Sequence, residues 1–282
     1  VTGAIVGTGQ VTKTGIGSLT FNGVNSFVGN LNVLQGTLVV GVPNAIPVTS
    51  SILLATDTTL RINNTLQSIS SLTGDGTIDL VNGNLFLEPL SSFVVAGRII
   101  GSGSVTKRSS GLVVFSANNT YSGPTDIETG TLAVAATNGI PTLSATTVSN
   151  AATLRLTNGT QQLSTLSGQG TIEIGSASLV LTATNPINFA GPITGTGNLI
   201  KQGLEILTLS GSNSFSGTAT IEVGQLSIEG SGSIGTVEVR ADSTFRFAGT
   251  FASLNRLAVD AFGTANIAGS SSMITTADIS GL

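Results

Sequence analysis

The sequence repeats itself at a fixed spacing of 94 residues. GTGQVTK at 7–13 returns as GSGSVTK at 101–107 and as GTGNLIK at 195–201. Lys13, Lys107 and Lys201 are the only lysines in the chain, and each closes one of these runs. The frame holds downstream. Asn25 answers Asn119 and Asn213, and Phe27 answers Tyr121 and Phe215. Gly29 answers Gly123 and Gly217, Gly36 answers Gly130 and Gly224, and Leu38 answers Leu132 and Leu226. The spacing then carries Leu60-Arg61 onto Leu154-Arg155, and Gly74-x-Gly76-Thr77-Ile78 onto Gly168-x-Gly170-Thr171-Ile172. In the third copy the phase slips by three residues, so that Arg61 meets Arg246.

Self-similarity over the whole length is the signature of a stacked repeat architecture. A unit of 94 residues exceeds one supersecondary repeat of roughly 20–50 residues, so it must hold several coils. Its local pattern is short period-two alternation, as at 104–107, 112–115, 131–134, 153–157, 171–174 and 178–182, separated by Gly, Asn and Ser. No window sustains a helical period. The expected fold is all-β, a parallel β-helix (β-solenoid) with about three strands per turn. Roughly eleven strands per unit give about four turns of about 23 residues, and about twelve turns in the chain. The expected domain organisation is one continuous solenoid, 1–282, of three units at 1–94, 95–188 and 189–282, the last degenerate. A sandwich or barrel is the alternative, and the fixed spacing argues against it.

Composition narrows the chemistry. With no His and no Cys, the chain has no imidazole base, no thiolate and no zinc site of the usual kind. Charged residues are 9%, against about 25% in ordinary soluble domains. Ten scattered basic residues do not make a nucleic-acid footprint. Residues 14–56 carry no charge, yet Thr, Ser, Asn and Gly interrupt them too often for a run of roughly 18 apolar residues that would span a bilayer. The first residues, VTGAIVGTGQ, lack the basic and apolar regions of a signal peptide, so an internal or mature segment is expected.

The run GSGSVTKRSSGLVVFSANNTYSGPTDIETGTLAV at 101–134 resembles the autotransporter-associated β-strand repeat found in passenger regions of large bacterial surface proteins. The elements shared in order are Gly-x-Gly (Gly7/Gly9, Gly101/Gly103, Gly195/Gly197), the lysine, Asn-Ser/Thr-Phe/Tyr-x-Gly, and Gly-x-Leu. They cover about 100 of the 282 residues, in three copies. The resemblance implies a right-handed parallel β-helix at the bacterial cell surface or outside the cell. It implies attachment to the outer membrane only through a β-barrel, and the chain's end, TTADISGL, shows no such set of amphipathic strands. A passenger segment, or a protein exported by another route, is the expectation.

The chemical candidates each have a plain structural reading. The lysines, and Arg61, Arg155 and Arg246, are expected to point outward and keep the solenoid soluble. Asn25, Asn119 and Asn213 are expected in turns, where Asn tolerates left-handed backbone. Phe27, Tyr121 and Phe215 are expected to pack in the core; as sugar platforms they would be spaced about four turns, roughly 19 Å, apart. The Gly-x-Gly runs are turn glycines without a following helix to hold phosphate. Asp79 and Glu173, and Glu128 and Glu222, are equivalent positions too far apart for the roughly 5–9.5 Å pair of a glycosidase. Asp75 with Asp79 and Asp126 with Glu128 are the remaining carboxylate pairs. No catalytic, metal or cofactor residue is assigned. The expected function is a non-enzymatic extracellular stalk or passenger in adhesion or display. A self-assembling surface fibre is the alternative, and a polysaccharide-acting enzyme a remote one. Expected partners are flanking repeats or other copies of the chain and a host-cell or matrix receptor, with no nucleic acid.

Overall fold

Alternating aliphatic residues dictate strands, and in the computed structural model, which describes residues 1–268, 270–271 and 274–279, every regular element is a strand. The strands are short, most of three to five residues, and pair in parallel with the strand one turn further along the chain. The chain divides into two compact units, Val1–Ser144 and Ala145–Leu282, each a parallel β-solenoid. Over the described residues of both there are about 13 turns.

In the first unit three rows of strands run side by side. One holds Val11–Lys13, Leu31–Val33, Ser51–Leu54 and Ser71–Thr73. The second holds Ser18–Phe21, Thr37–Val40, Thr59–Asn63, Thr77–Val81 and Ile99–Gly101. The third begins with Val6–Gly7 and Ser26–Phe27, is interrupted by a loop at 42–50, and resumes as Leu66–Ile69, Asn84–Leu87, Ser104–Lys107 and Thr125–Ile127. Leu38, Leu60, Ile78 and Ile99 stand in register on consecutive turns and are all buried. In the second unit Leu179, Leu199, Ala219, Val237 and Leu257 form a similar column. Strands about 4.8 Å apart keep such side chains in contact, and each fully buried Leu or Ile stabilises the fold by roughly 1.5–3 kcal/mol.

Partners in register lie near 20 residues apart, as for Val11 with Leu31 and Val105 with Thr125. This corrects the expected turn of about 23 residues. It also means that 94 residues are about four and two-thirds turns, not four. The motif therefore does not return to the same row: Lys13 lies in the first row and Lys107 in the third. Equivalent residues of successive repeats in this unit face different ways, so the aromatic positions Phe27 and Tyr121 do not line one stripe.

The Gly-x-Gly runs are not pairs of like turn glycines, as expected. Only their first members, Gly7, Gly101 and Gly195, take left-handed backbone, with φ of 115°, 100° and 111°. The second members, Gly9, Gly103 and Gly197, do not. At Gly103 and Gly197 the reason for glycine is close approach between turns. A Cβ on Gly103 would lie 1.8 Å from the carbonyl oxygen of Gly83, and one on Gly197 would lie 2.3 Å from that of Ala177. Gly9 lies in the first turn, is exposed, and a Cβ there would meet nothing within 4 Å.

Candidate functional site

The three motif lysines are buried, not exposed as expected. Lys13 keeps 7% of its surface, and Lys107 and Lys201 keep none. Each ammonium spends its three protons on three main-chain carbonyls. Lys107 Nζ donates to Arg108 O at 2.8 Å, Ser109 O at 2.7 Å and Thr129 O at 3.0 Å. Lys13 does the same to Thr14, Gly15 and Gln35, and Lys201 to Gln202, Gly203 and Val223. The cage exists because the backbone at its rim is left-handed. Gly15, Ser109 and Gly203 have φ of 76°, 66° and 82°, and Gly36, Gly130 and Gly224, one turn on, have φ of 71°, 72° and 81°. That left-handed backbone, together with main-chain carbonyls within 3 Å of where a Cβ would stand, is why Gly follows the lysine by 23 residues in every copy; at Gly130 a Cβ would also crowd the Lys107 ammonium. Burial lowers the Lys107 and Lys201 pKa to about 8, with Glu205 working in the opposite direction on Lys201. These cations are spent on the chain itself and offer no stripe to an anionic ligand.

The asparagines are likewise not left-handed turn residues. Asn25, Asn119 and Asn213 are buried with negative φ, and each joins neighbouring segments through its side chain. Asn119 Oδ1 accepts from Ile99 N at 2.8 Å, and its Nδ2 donates to Gly139 O at 2.6 Å. Asn25 joins Ile5 N to Ala45 O in the same manner. Asn213 accepts from Ile193 N but donates back to Gly211 O. The clip has partners outside the motif residues. Gln67 is fully buried and holds both the N–H and the carbonyl of Ile46. Asn44 and Asn138, not the motif asparagines, take the left-handed backbone, with φ of 48° each. Gln67 and Gln161, Asn44 and Asn138, and Pro47 and Pro141 all share the 94-residue spacing, which was the available signal.

Phe27, Tyr121 and Phe215 are buried. The Tyr121 hydroxyl pairs with Thr125 Oγ1 at 2.6 Å, which pairs with Ser144 Oγ at 2.8 Å. Arg61, Arg155 and Arg246 point outward and bridge turns, to Asp79 at 2.9 Å, Glu173 at 2.8 Å and Glu229 at 3.2 Å. Exposed pairs of this kind contribute about 0–1 kcal/mol each. Asp79 is thus tied to arginine and Asp75 accepts from Thr56, while Glu128 holds Arg108. Among the described residues no group of three acidic side chains gathers where it could hold a metal ion.

What the clips leave open is a recess. The loop at 42–50 carries Pro47, which has no N–H to give a ladder, and the chain leaves the third row there. Beside it lies a groove of about 750 Å³. Val24 and Val28, 64% and 63% exposed, stand on one side and Val48 on another, while Phe86, Glu88 and Arg108 close the far end. Arg108 lies 4.0 Å over the Phe86 ring and within 2.9 Å of Glu128 and 3.8 Å of Glu88. The loop recurs at 136–144, and a smaller recess of about 310 Å³ recurs with it, between Asn118–Ser122 and Asn138–Leu143. In the second unit the corresponding stretch is the unbroken strand Ser231–Val239, and the recess there is about 240 Å³.

The passenger-associated-transport-repeat family model matches residues 11–40, 105–134 and 199–228. Each span runs from the caged lysine's strand, through the clip and the aromatic residue, to the left-handed glycine and the strand after it. The adhesin BmaC autotransporter of Brucella suis biovar 1 (strain 1330) is 30% identical over 244 residues, which is 83% of this chain and 7% of that protein. The chain therefore spans only 7% of the length of that relative. No solved structure matches the chain.

Proposed function

From the premise that this chain carries three passenger-associated-transport-repeats, we propose that it is a non-enzymatic segment of a bacterial surface passenger, acting in adhesion or in holding an adhesive region away from the cell. The observation that carries the reading is its similarity, over most of its length, to a protein named as an autotransporter adhesin. The chemistry agrees with a scaffold. The cations of the motif are used to cage carbonyls, and six of the seven arginines pair with carboxylates among the described residues. Such a surface joins turn to turn, and Asp79, Glu128 and Glu173 are each held by an arginine.

The test is display. The segment is fused between a signal peptide and an outer-membrane β-barrel in a non-adherent laboratory bacterium. Cells carrying it should show protease-accessible segment at their surface and adhere to cultured cells or matrix above a barrel-only control. Surface exposure with no gain in adherence to any substrate would leave display and remove adhesion.

A further inference from the structure

We propose that the groove from Val24 to Arg108 is a docking site for an extended peptide segment of a partner protein, apolar in part and bearing a basic side chain. The inference takes its biological sense from the adhesion reading above, but it stands on the groove's own dimensions and charge.

The dimensions favour an extended chain. The lining residues come from five successive turns: Val24–Val28, Asn44–Thr49, Leu66–Ser68, Phe86–Glu88 and Arg108. Four steps of about 4.8 Å make a trough about 19 Å long, which an extended chain at about 3.3 Å per residue covers with about six residues. The trough is left by a structural device, the departure of the loop at 42–50 from the row. Three of the chain's exposed aliphatic side chains, Val24, Val28 and Val48, gather along the trough.

The charge selects the basic group. One guanidinium, Arg108, serves two carboxylates. It is bonded to Glu128, which lies outside the groove, through both Nε at 2.9 Å and Nη2 at 3.3 Å. It approaches Glu88, which lines the groove, only to 3.8 Å. Ser68 gives Glu88 one hydrogen bond at 3.3 Å. Glu88 thus keeps acceptor capacity toward the trough, in a chain of net charge −4. A lysine or arginine of the occupant completes that site while apolar neighbours lie over Val24, Val28 and Val48. The recess at 118–143 lacks both the length and a lining carboxylate. A recess of about 530 Å³ beside Asp75 is lined from two turns only, 71–75 and 92–96, and Asp75 there already accepts from Thr56.

The test is a titration of the isotope-labelled chain with a hexapeptide of alternating valine and lysine. A peptide with glutamate for lysine and a neutral oligosaccharide serve as controls. Saturable amide shifts confined to the five lining stretches are expected with the lysine peptide alone. Glu88→Gln, at a partly exposed side chain, should weaken binding about tenfold or more, and Val28→Ser with Val48→Ser should abolish it. Equal binding of the glutamate peptide, indifference to Glu88→Gln, no shifts, or the oligosaccharide shifting these amides instead would each overturn the proposal. The same variants on displaying cells separate the two readings. Adherence that survives Glu88→Gln would leave adhesion standing without this groove. Peptide binding without adherence would leave the groove and remove adhesion.

Discussion

The Lys107 ammonium lies 3.0 Å from the carbonyl oxygen of Thr129, which follows it by 22 residues and one turn of the solenoid. With its bonds to Arg108 and Ser109, this fixes a corner to the corner above it. A buried cation is costly unless its donors are met, and removing it leaves three carbonyls without a partner. Lys107→Ala should therefore destabilise the chain by about 2–4 kcal/mol in urea unfolding. Lys107→Met, which keeps an apolar stem but loses the charge and its three donors, should cost less than Ala but still exceed the effect of Arg155→Ala, which removes an exposed pair worth about 0–1 kcal/mol. A Lys107→Ala effect no larger than that of Arg155→Ala would show the cage to be incidental.

The same cages give the fold an alkaline dependence. At pH 7 Lys107 and Lys201 are charged, since burial brings them down to about 8, against about 10.4 in the unfolded chain. Between those values the unfolded chain binds more protons than the folded one, so stability rises with pH. Tyr121 acts in the reverse sense. Burial raises its pKa above the ordinary value, so above about pH 10 the unfolded chain releases a proton that the folded one keeps, and stability falls. The urea midpoint should climb from pH 8, peak near pH 10 and drop beyond it. Tyr121→Phe should remove the drop. A steady decline from pH 8 upward would contradict the assignment.

How far these features could be read from the sequence follows from their physical cause. The columns of Leu and Ile were legible because period-two alternation against a core admits one orientation. The same parity places Lys107 on the inner side with Val105, and Lys13 with Val11. The expectation that charge goes outward runs against it, because the cage needs carbonyls turned inward by left-handed residues both two positions on and a turn away, and the second set is not local. The two glycines of a Gly-x-Gly run look alike in sequence, but Gly101 answers to a left-handed φ and Gly103 to the carbonyl of Gly83 on the neighbouring turn. The turn length was overestimated because strands of three residues, such as Ile99–Gly101 and Ile193–Gly195, show too little alternation to be counted. The groove was hidden for a different reason. It is made by Pro47 and the two clips from adjoining turns, Asn25 and Gln67, and their proximity depends on a turn length the pattern did not give.

The Asn clip should be more sensitive to chemistry than to size. Asn119 both accepts from Ile99 N and donates to Gly139 O. Asn119→Asp keeps the acceptor, but it sets a carboxylate oxygen against the Gly139 carbonyl in a buried place. It should cost about 2–4 kcal/mol and exceed Asn119→Ala, which leaves both main-chain groups unpaired but adds no charge. Hydrogen exchange at the Ile99 amide should accelerate in both variants. An unchanged rate there would mean that the clip does not hold the turns together.

The last contrast uses one hydroxyl at two equivalent positions. Ser144 joins Thr125 Oγ1 at 2.8 Å and the Gly123 carbonyl at 2.8 Å, in a buried chain that begins at the Tyr121 hydroxyl. In the first repeat Phe27 stands for Tyr121 and Leu31 for Thr125, and the equivalent Ser50 Oγ is buried without a partner. A buried hydroxyl with no hydrogen bond lowers stability, whereas one at the centre of a chain supports it. Ser50→Ala should be neutral or stabilising by up to about 1 kcal/mol, and Ser144→Ala should destabilise by about 1–3 kcal/mol. Thermal unfolding of the two variants against the parent chain decides the matter, and equal losses at both sites would mean that Ser50 has the same support as Ser144.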